Sequence, residues 1–151
     1  MLKTGDRAPA FDLPDQDGNR VTLSDLLSEG PLLLYFYPAD FTPGCTKEAC
    51  EIRDMHEDIC DVGIRVVGVS PQDEASHTRF RQRHNLPFTL LADPEKAAVK
   101  AYGVDGPLGI SVRRATFLIN TEGVIEDVVL ADLLIGRHSD FIRQAVAHNR
   151  G

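Results

Sequence analysis

The chain has 151 residues, the length of one domain of ordinary size, and with 42% hydrophobic and 26% charged residues it is expected to bury a core rather than stay disordered. Its formal charge of -7 argues against nucleic acid as a partner, because phosphate binding calls for clustered Lys and Arg. Met1 to Asp6 is short and polar, no apolar run approaches the ~18 residues of a membrane span, and an odd number of cysteines fits a reducing compartment, so the cytoplasm is the expected location.

Along the chain, Asp17-Gly18-Asn19 is a turn signal, Val21-Thr22-Leu23 a short strand, and Ser24 the expected cap of a brief helical turn. Leu32 to Tyr37 is a continuous apolar run between Pro31 and Pro38, which suits a strand buried on both faces. Pro38 to Gly44 reads as a loop, and a helix is expected from Cys45 to Cys60. Cys45, Ala49, Ile52 and Ile59 recur there at helical spacing, with Glu48, Glu51, Arg53, Glu57 and Asp58 on the other faces. Ile64 to Val69 is a second buried-type strand. Asp73 to His84 is a helix carrying Arg79, Arg81 and Arg83 as a solvated face. Phe88 to Leu91 is a short strand, Glu95 to Tyr102 a short helix closed by Gly103, and Val104 to Val112 a glycine-containing loop. Ala115 to Asn120 and Val124 to Leu130 form a hairpin around Glu122-Gly123, and His138 to His148 is the last amphipathic helix. Strands alternating with helices imply parallel crossovers, and the late hairpin adds an antiparallel part. The expected fold is α/β and thioredoxin-like: one domain over residues 1–151, with a mixed central sheet and helices on both faces.

Chemistry concentrates at Cys45, which follows a buried strand and a turn and opens a predicted helix. The first N–H groups of a helix lack partners and carry partial positive charge, so a thiolate placed there is stabilised. That is not sufficient for catalysis. An unperturbed thiol is already a few per cent ionised at neutral pH, so complete ionisation gains only about thirtyfold, or ~2 kcal/mol. The remainder must come from donors that align the substrate and stabilise charge on the leaving atom. Thr42 lies three residues before Cys45, where its hydroxyl could reach both sulfur and substrate. The N–H groups of Gly44 and Cys45 are further donors. Pro38 ends the strand without a donor and could wall off water. A guanidinium is the remaining part, and Arg113 and Arg114 both precede a strand that could lie beside the first.

Pro38-Ala39-Asp40-Phe41-Thr42-Pro43-Gly44-Cys45 resembles the Pro-x-x-x-Thr-x-x-Cys signature of peroxiredoxins. Tyr35-Phe36-Tyr37-Pro38 with Phe41-Thr42-Pro43-Gly44-Cys45-Thr46-Lys47-Glu48-Ala49-Cys50 is similar to the peroxiredoxin Q, or bacterioferritin comigratory protein, branch. Further matches are Val66-Val67-Gly68-Val69-Ser70-Pro71, Leu86-Pro87-Phe88, Leu90-Leu91-Ala92-Asp93-Pro94, Ala101-Tyr102-Gly103-Val104 and Arg114-Ala115-Thr116-Phe117-Leu118-Ile119. The resemblance spans Gly5 to about Ala145. It implies a thiol peroxidase acting on hydroperoxides, with Cys45 as the peroxidatic cysteine, Pro38 and Thr42 shaping the pocket and Arg114 as the active-site arginine. Only one of the neighbouring arginines can reach Cys45, since adjacent strand residues face opposite ways. Glu48, one turn beyond Cys45, is placed to orient that arginine.

The resemblance also implies Cys50 as the cysteine that resolves a Cys45 sulfenic acid, thioredoxin or a similar dithiol as reductant, no cofactor, and a monomer or weak dimer. In an intact helix, residues five apart have Cα atoms roughly 8 to 9 Å apart and diverge by about 140°, whereas a disulfide needs less than about 7 Å. A Cys45–Cys50 bond therefore requires the first turns of the helix to unwind. Cys60 lies roughly 22 Å from Cys45 along the helix and is expected on the core face with Ile52 and Ile59; an intersubunit disulfide is its other reading. The run Cys45, Cys50, His56, Cys60 is too long for one tetrahedral ion, so no metal is expected. His77, His84, His138 and His148 read as surface or helix-end residues without a catalytic role. Two other functions compete. A thioredoxin-like disulfide oxidoreductase would use Cys-x-x-Cys rather than Cys45-x4-Cys50. A non-catalytic redox-sensing module is disfavoured by the joint presence of Pro38, Thr42, Cys45 and Arg114.

Overall fold

The computed structural model describes residues 2–109, 111–130 and 135–150. The chain opens with a small antiparallel pair, Asp12–Pro14 (β1) and Arg20–Thr22 (β2), around the predicted Asp17-Gly18-Asn19 turn. Helix Leu23–Leu27 (α1) follows at once, and its cap is Thr22 rather than Ser24: the Thr22 side chain accepts from Asp25 N–H at 3.1 Å. The cap moves because β2 ends a residue earlier than the sequence suggests.

Leu32–Phe36 (β3) is buried at every position, as its unbroken apolar run requires. Pro43–Asp61 (α2) starts two residues before the expected Cys45, because Pro43 is pre-set for the first helical position. It ends where Gly63 takes φ 79, with Gly63 N–H on the Cys60 carbonyl at 2.9 Å and Ile64 N–H on that of Ile59 at 3.2 Å, a Schellman arrangement. Arg65–Ser70 (β4), Glu74–His84 (α3), Thr89–Ala92 (β5) and Ala97–Ala101 (α4) occupy the predicted places. Asp73 caps α3 through Ser76 N–H at 2.8 Å. Ala115–Ile119 (β6) and Ile125–Leu130 (β7) form the hairpin, its turn held by Asn120 Oδ1 accepting from Glu122 and Val124 N–H at 3.0 Å. The loop before β6 contains a 3-10 turn, Pro107–Gly109, and Ile110 of that loop lies outside the described residues. Ile135–Arg150 (α5) extends the expected last helix toward the N-terminus.

The main sheet runs β5-β4-β3-β6-β7, with β3, β4 and β5 mutually parallel and β6 and β7 antiparallel. One face packs Leu32, Leu34, Phe36 and Phe117 against α1 and α4. The other packs Leu33, Tyr35, Val66 and Leu118 against Ala49, Ile52 and Ile59 of α2, Phe80 of α3 and Ile142 of α5. This is the mixed sheet between two helical layers, the thioredoxin-like arrangement, that the element order implies.

Two surface expectations fail. Arg79 and Arg83 are exposed, but Arg81 turns inward and donates to the Phe88 carbonyl at 2.9 Å. Cys60 is exposed, not on the core face. At about 100° per residue the buried stripe of α2 runs from Glu48 to Ala49, and Cys60 falls just past its Ala49 edge. Its sulfur lies 3.4 Å from His56 Nε2, and partial burial, followed by Asp61, pushes the thiol away from ionisation.

Gly68 on β4 makes room for a ring beneath α2. A Cβ there would sit 2.8 Å from Tyr35 Cζ and 2.9 Å from Leu90 Cδ2. Gly68→Ala is expected to cost about 1–3 kcal/mol by overpacking, read as a lower urea midpoint at unchanged slope; an unchanged midpoint would show that the Tyr35 ring yields freely.

Candidate active site

Three chain segments meet at one end of the sheet. β3 stops at Phe36, and Tyr37 and Pro38 lead into the loop that feeds α2. β6 runs antiparallel to β3 with Ala115 opposite Phe36, so Arg114, just before β6, arrives at the same end as Cys45. Strand alternation separates the two arginines: Arg113 is exposed and Arg114 only 5% exposed. Arg114 Nη2 donates to Cys45 Sγ at 3.2 Å, and Nη1 donates to Glu48 Oε1 at 2.7 Å. One guanidinium thus bridges the sulfur and a carboxylate.

Cys45 is 1% exposed and sits in the first turn of α2. That turn carries no side-chain cap. Thr42 occupies the cap position, yet its hydroxyl donates to the Ala39 carbonyl at 3.0 Å. The expected reach of this hydroxyl to the sulfur is not made; it braces the loop instead. The consequence is useful. The N–H groups of Gly44 and Cys45 precede the first intrahelical bond, Thr46 N–H to the Thr42 carbonyl at 2.9 Å, and no side chain takes them. Pro38 and Arg114, with Gly106, Pro107, Val112 and Arg113, line a hollow of about 260 Å³ beside the bridged pair.

Glu48 is 1% exposed, against the expectation of a polar outer face for this position. It stands at the opposite edge of the buried α2 stripe from Ala49. Its second oxygen, Oε2, makes no hydrogen bond among the described residues and lies 3.6 Å from His138 Nδ1. Burial pushes the Glu48 carboxyl up to about 7; Arg114 offsets part of this and Glu51 adds to it. For Arg114 burial opposes the charge, but Glu48 and Cys45 outweigh it and hold the guanidinium firmly protonated. Tyr35, stacked on Tyr37 with ring centroids 5.4 Å apart, is held well above the ordinary phenol range by burial and then by Glu48 and Cys45.

His138 corrects the surface reading given to it. It is fully buried, and its Nδ1 lies 2.9 Å from Thr116 Oγ1 of β6. The sequence did carry a signal. His138, Ile142 and Ala145 share the i, i+4, i+7 stripe of α5 that faces the core. His77 is buried too, against the same expectation, whereas His84 ends α3 and His148 is exposed. Cys50 is half-buried on α2, five residues beyond Cys45, and both thiols are free. Among the described residues, no group of three or more His, Cys, Asp or Glu is arranged to hold a metal ion, and no helix is long and apolar enough to cross a membrane.

The AhpC/TSA family model matches residues 4–128. A putative peroxiredoxin bcp of Coxiella burnetii is 42% identical over 133 residues, 84% of this chain and 87% of that protein. The crystal structure of peroxidoxin BcpB from Mycobacterium tuberculosis superposes with a TM-score of 0.90 at 38% identity, covering 99% of this chain and 97% of that one. The Xanthomonas campestris bacterioferritin comigratory protein, whose structures address its alkyl peroxide reduction activity, superposes with a TM-score of 0.83 at 27% identity over 92% of each chain.

The buried carboxyl has a measurable consequence. Glu48 binds its proton more tightly folded than unfolded, so its contribution favours the folded state fully below its ordinary value of 4.5 and is lost as pH rises through about 7. Between pH 5 and pH 8 this amounts to roughly 2–3 kcal/mol. Glu48→Gln should remove that component from urea unfolding curves of the reduced protein at the two pH values. Equal pH dependence in both proteins would show that Glu48 is not ionised at a cost.

Proposed function

Because the chain belongs to the AhpC/TSA family and is a peroxiredoxin of the bacterioferritin comigratory protein and peroxiredoxin Q kind, we propose that Cys45 is the sulfur that attacks the peroxide and Cys50 the one that resolves it. The observation that carries the reading is the contact of Arg114 Nη2 with Cys45 Sγ at 3.2 Å, at a helix start whose N–H groups no side chain caps.

The Cys45 thiolate attacks the nearer peroxide oxygen. The O–O bond breaks, its electron pair leaves with the distal oxygen, and protonation of that oxygen yields water or an alcohol. Cys45 becomes a sulfenic acid. Arg114 and the N–H groups of Gly44 and Cys45 stabilise the negative charge as it passes from sulfur to the leaving oxygen. Glu48 holds the guanidinium in place, and Pro38 borders the approach. Thr42 acts by fixing the turn through Ala39 rather than by contacting the sulfur.

The Cys50 thiol then condenses with the sulfenic acid, releasing water and forming a Cys45–Cys50 disulfide. Both residues lie in an intact helix, where a separation of five residues exceeds disulfide reach. The first turns of α2 therefore unwind in this step. A thioredoxin-type dithiol reduces the disulfide by exchange. Residues 1–151 act as one catalytic domain, in the cytoplasm, as a monomer or weak dimer.

Stopped-flow reduction of hydrogen peroxide and an alkyl hydroperoxide, with thioredoxin as donor, tests the assignment. Cys45→Ser should abolish turnover. Arg114→Ala should lower kcat/KM by roughly 10²–10³. Cys50→Ser should keep the first turnover and lose thioredoxin-dependent cycling. Undiminished cycling in Cys50→Ser would remove that residue from the mechanism.

A further inference from the structure

Asp40 is a second buried carboxylate near Cys45, and neither peroxide attack nor resolution uses it. It lies in the loop between β3 and α2, 5% exposed. Its Oδ1 accepts from Tyr37 Oη at 2.7 Å, and its Oδ2 accepts from Ser76 Oγ at 2.7 Å. The same Oδ2 lies 2.7 Å from Nδ1 of the fully buried His77. His77 Nε2 faces the Leu91 carbonyl at 3.0 Å. A carbonyl oxygen only accepts, so Nε2 is the donor there. A proton is then shared between Nδ1 and Asp40, because two bare acceptors would repel at that distance.

The next residue is held less comfortably. Phe41 has φ 64, a left-handed backbone that disfavours an aromatic side chain. Its half-exposed ring packs edge-on to Phe80, centroids 5.2 Å apart, and near His84 at 6.4 Å. Ser76, His77, Phe80 and His84 all belong to α3. The loop is thus fastened to α3 at two successive residues, by a polar cluster at Asp40 and by a ring contact across a strained backbone at Phe41. Beyond it, Thr42 accepts the first backbone bond of α2, and Cys45 lies one turn in. Asp40 is the last deeply buried anchor before the segment that must unwind.

We infer that the Asp40–His77 pair is a latch on this loop, holding the first turn of α2 in the form that attacks peroxide and restraining its unwinding toward Cys50. The inference rests on the Cys45–Cys50 cycle proposed above. Asp40 and His77 are positioning residues; they contact neither sulfur nor substrate. Weakening the latch depopulates the attacking form and frees the resolving form, so the two chemical steps move in opposite directions. Loss of general packing would not do that.

The test uses His77→Gln, which cannot donate to Asp40 and Leu91 together, and the milder Ser76→Ala. In the reduced proteins, amide hydrogen exchange over residues 43–50 should quicken by about tenfold or more in His77→Gln, while residues 52–61 keep their protection. In single-turnover stopped flow, the peroxide-dependent step should slow several-fold and the peroxide-independent condensation should quicken several-fold. Ser76→Ala should show smaller changes of the same sign, and it decides the matter if His77→Gln does not fold. Unaltered exchange over 43–50, or both chemical steps falling together, would overturn the latch. Exchange is measured before any peroxide is added, so it judges the latch alone. Absence of a Cys45–Cys50 linkage in the mass spectrum of the wild-type protein after one equivalent of peroxide would instead sink the proposed cycle.

Discussion

One guanidinium serves two electron-rich partners in a nearly dry site, and the remaining parts are arranged around that sharing. Arg114 spans Cys45 Sγ at 3.2 Å and Glu48 Oε1 at 2.7 Å. To bring it there, β6 must run antiparallel to β3 with Ala115 opposite Phe36. Glu48 must be buried one helical turn beyond Cys45, which is why α2 has a carboxylate at the edge of an apolar stripe. Burial pushes the Glu48 carboxyl up to about 7, which tempers its pull on the cation. The guanidinium therefore keeps much of its positive field for the Cys45 sulfur.

Much of this was legible in the sequence because local rules and the motif agree. The apolar run before Pro38, the Pro43-Gly44 turn and the helical recurrence of Cys45, Ala49, Ile52 and Ile59 place Cys45 at a helix start without any tertiary information. The choice between Arg113 and Arg114 was open until the register of β6 was known, because alternation says only that the two differ. His77 and His138 were misread as solvated for one reason, whereas Glu48, read both as an outer-face residue and as a partner for the arginine, is buried against Arg114. Polar side chains are assigned outward by default, and their burial depends on partners remote in sequence: Arg114 for Glu48, Asp40 for His77 and Thr116 for His138. Cys60 erred the other way, since a residue at the edge of a stripe is decided by where the neighbouring elements stop.

Several departures from local preference gather at the loop that feeds α2. Thr42 declines the capping role its position offers, Phe41 adopts a left-handed backbone, and two carboxylates are buried within a few residues of Cys45. Other ends keep the rules, since Thr22 and Asp73 cap their helices, Gly63 ends α2 and Asn120 organises the hairpin turn, while Lys96 opens α4 at φ 58 without a side-chain cap. Strain and unmet preference at a site are what a functional constraint produces when the surrounding fold is stable enough to hold them.

The two buried carboxylates also divide α2 into parts of different character. Asp40 ties the approach to the helix to α3 through His77, and Glu48 lies against Arg114 and beside His138 of α5. Both grips are polar and directional. Past Ala49 the helix is held mainly by Ile52 and Ile59, essentially without solvent exposure, with Arg53 donating to the His84 carbonyl at 2.8 Å, Ser139 donating to Glu51, and a glycine-ended terminus. Apolar contact of that kind is non-directional and is spread over many atoms. A helix built this way can release its first turns while its second half stays seated on the sheet. The cycle proposed for Cys45 and Cys50, which asks for a rigid helix start in one step and a mobile one in the next, would draw on this difference along a single element.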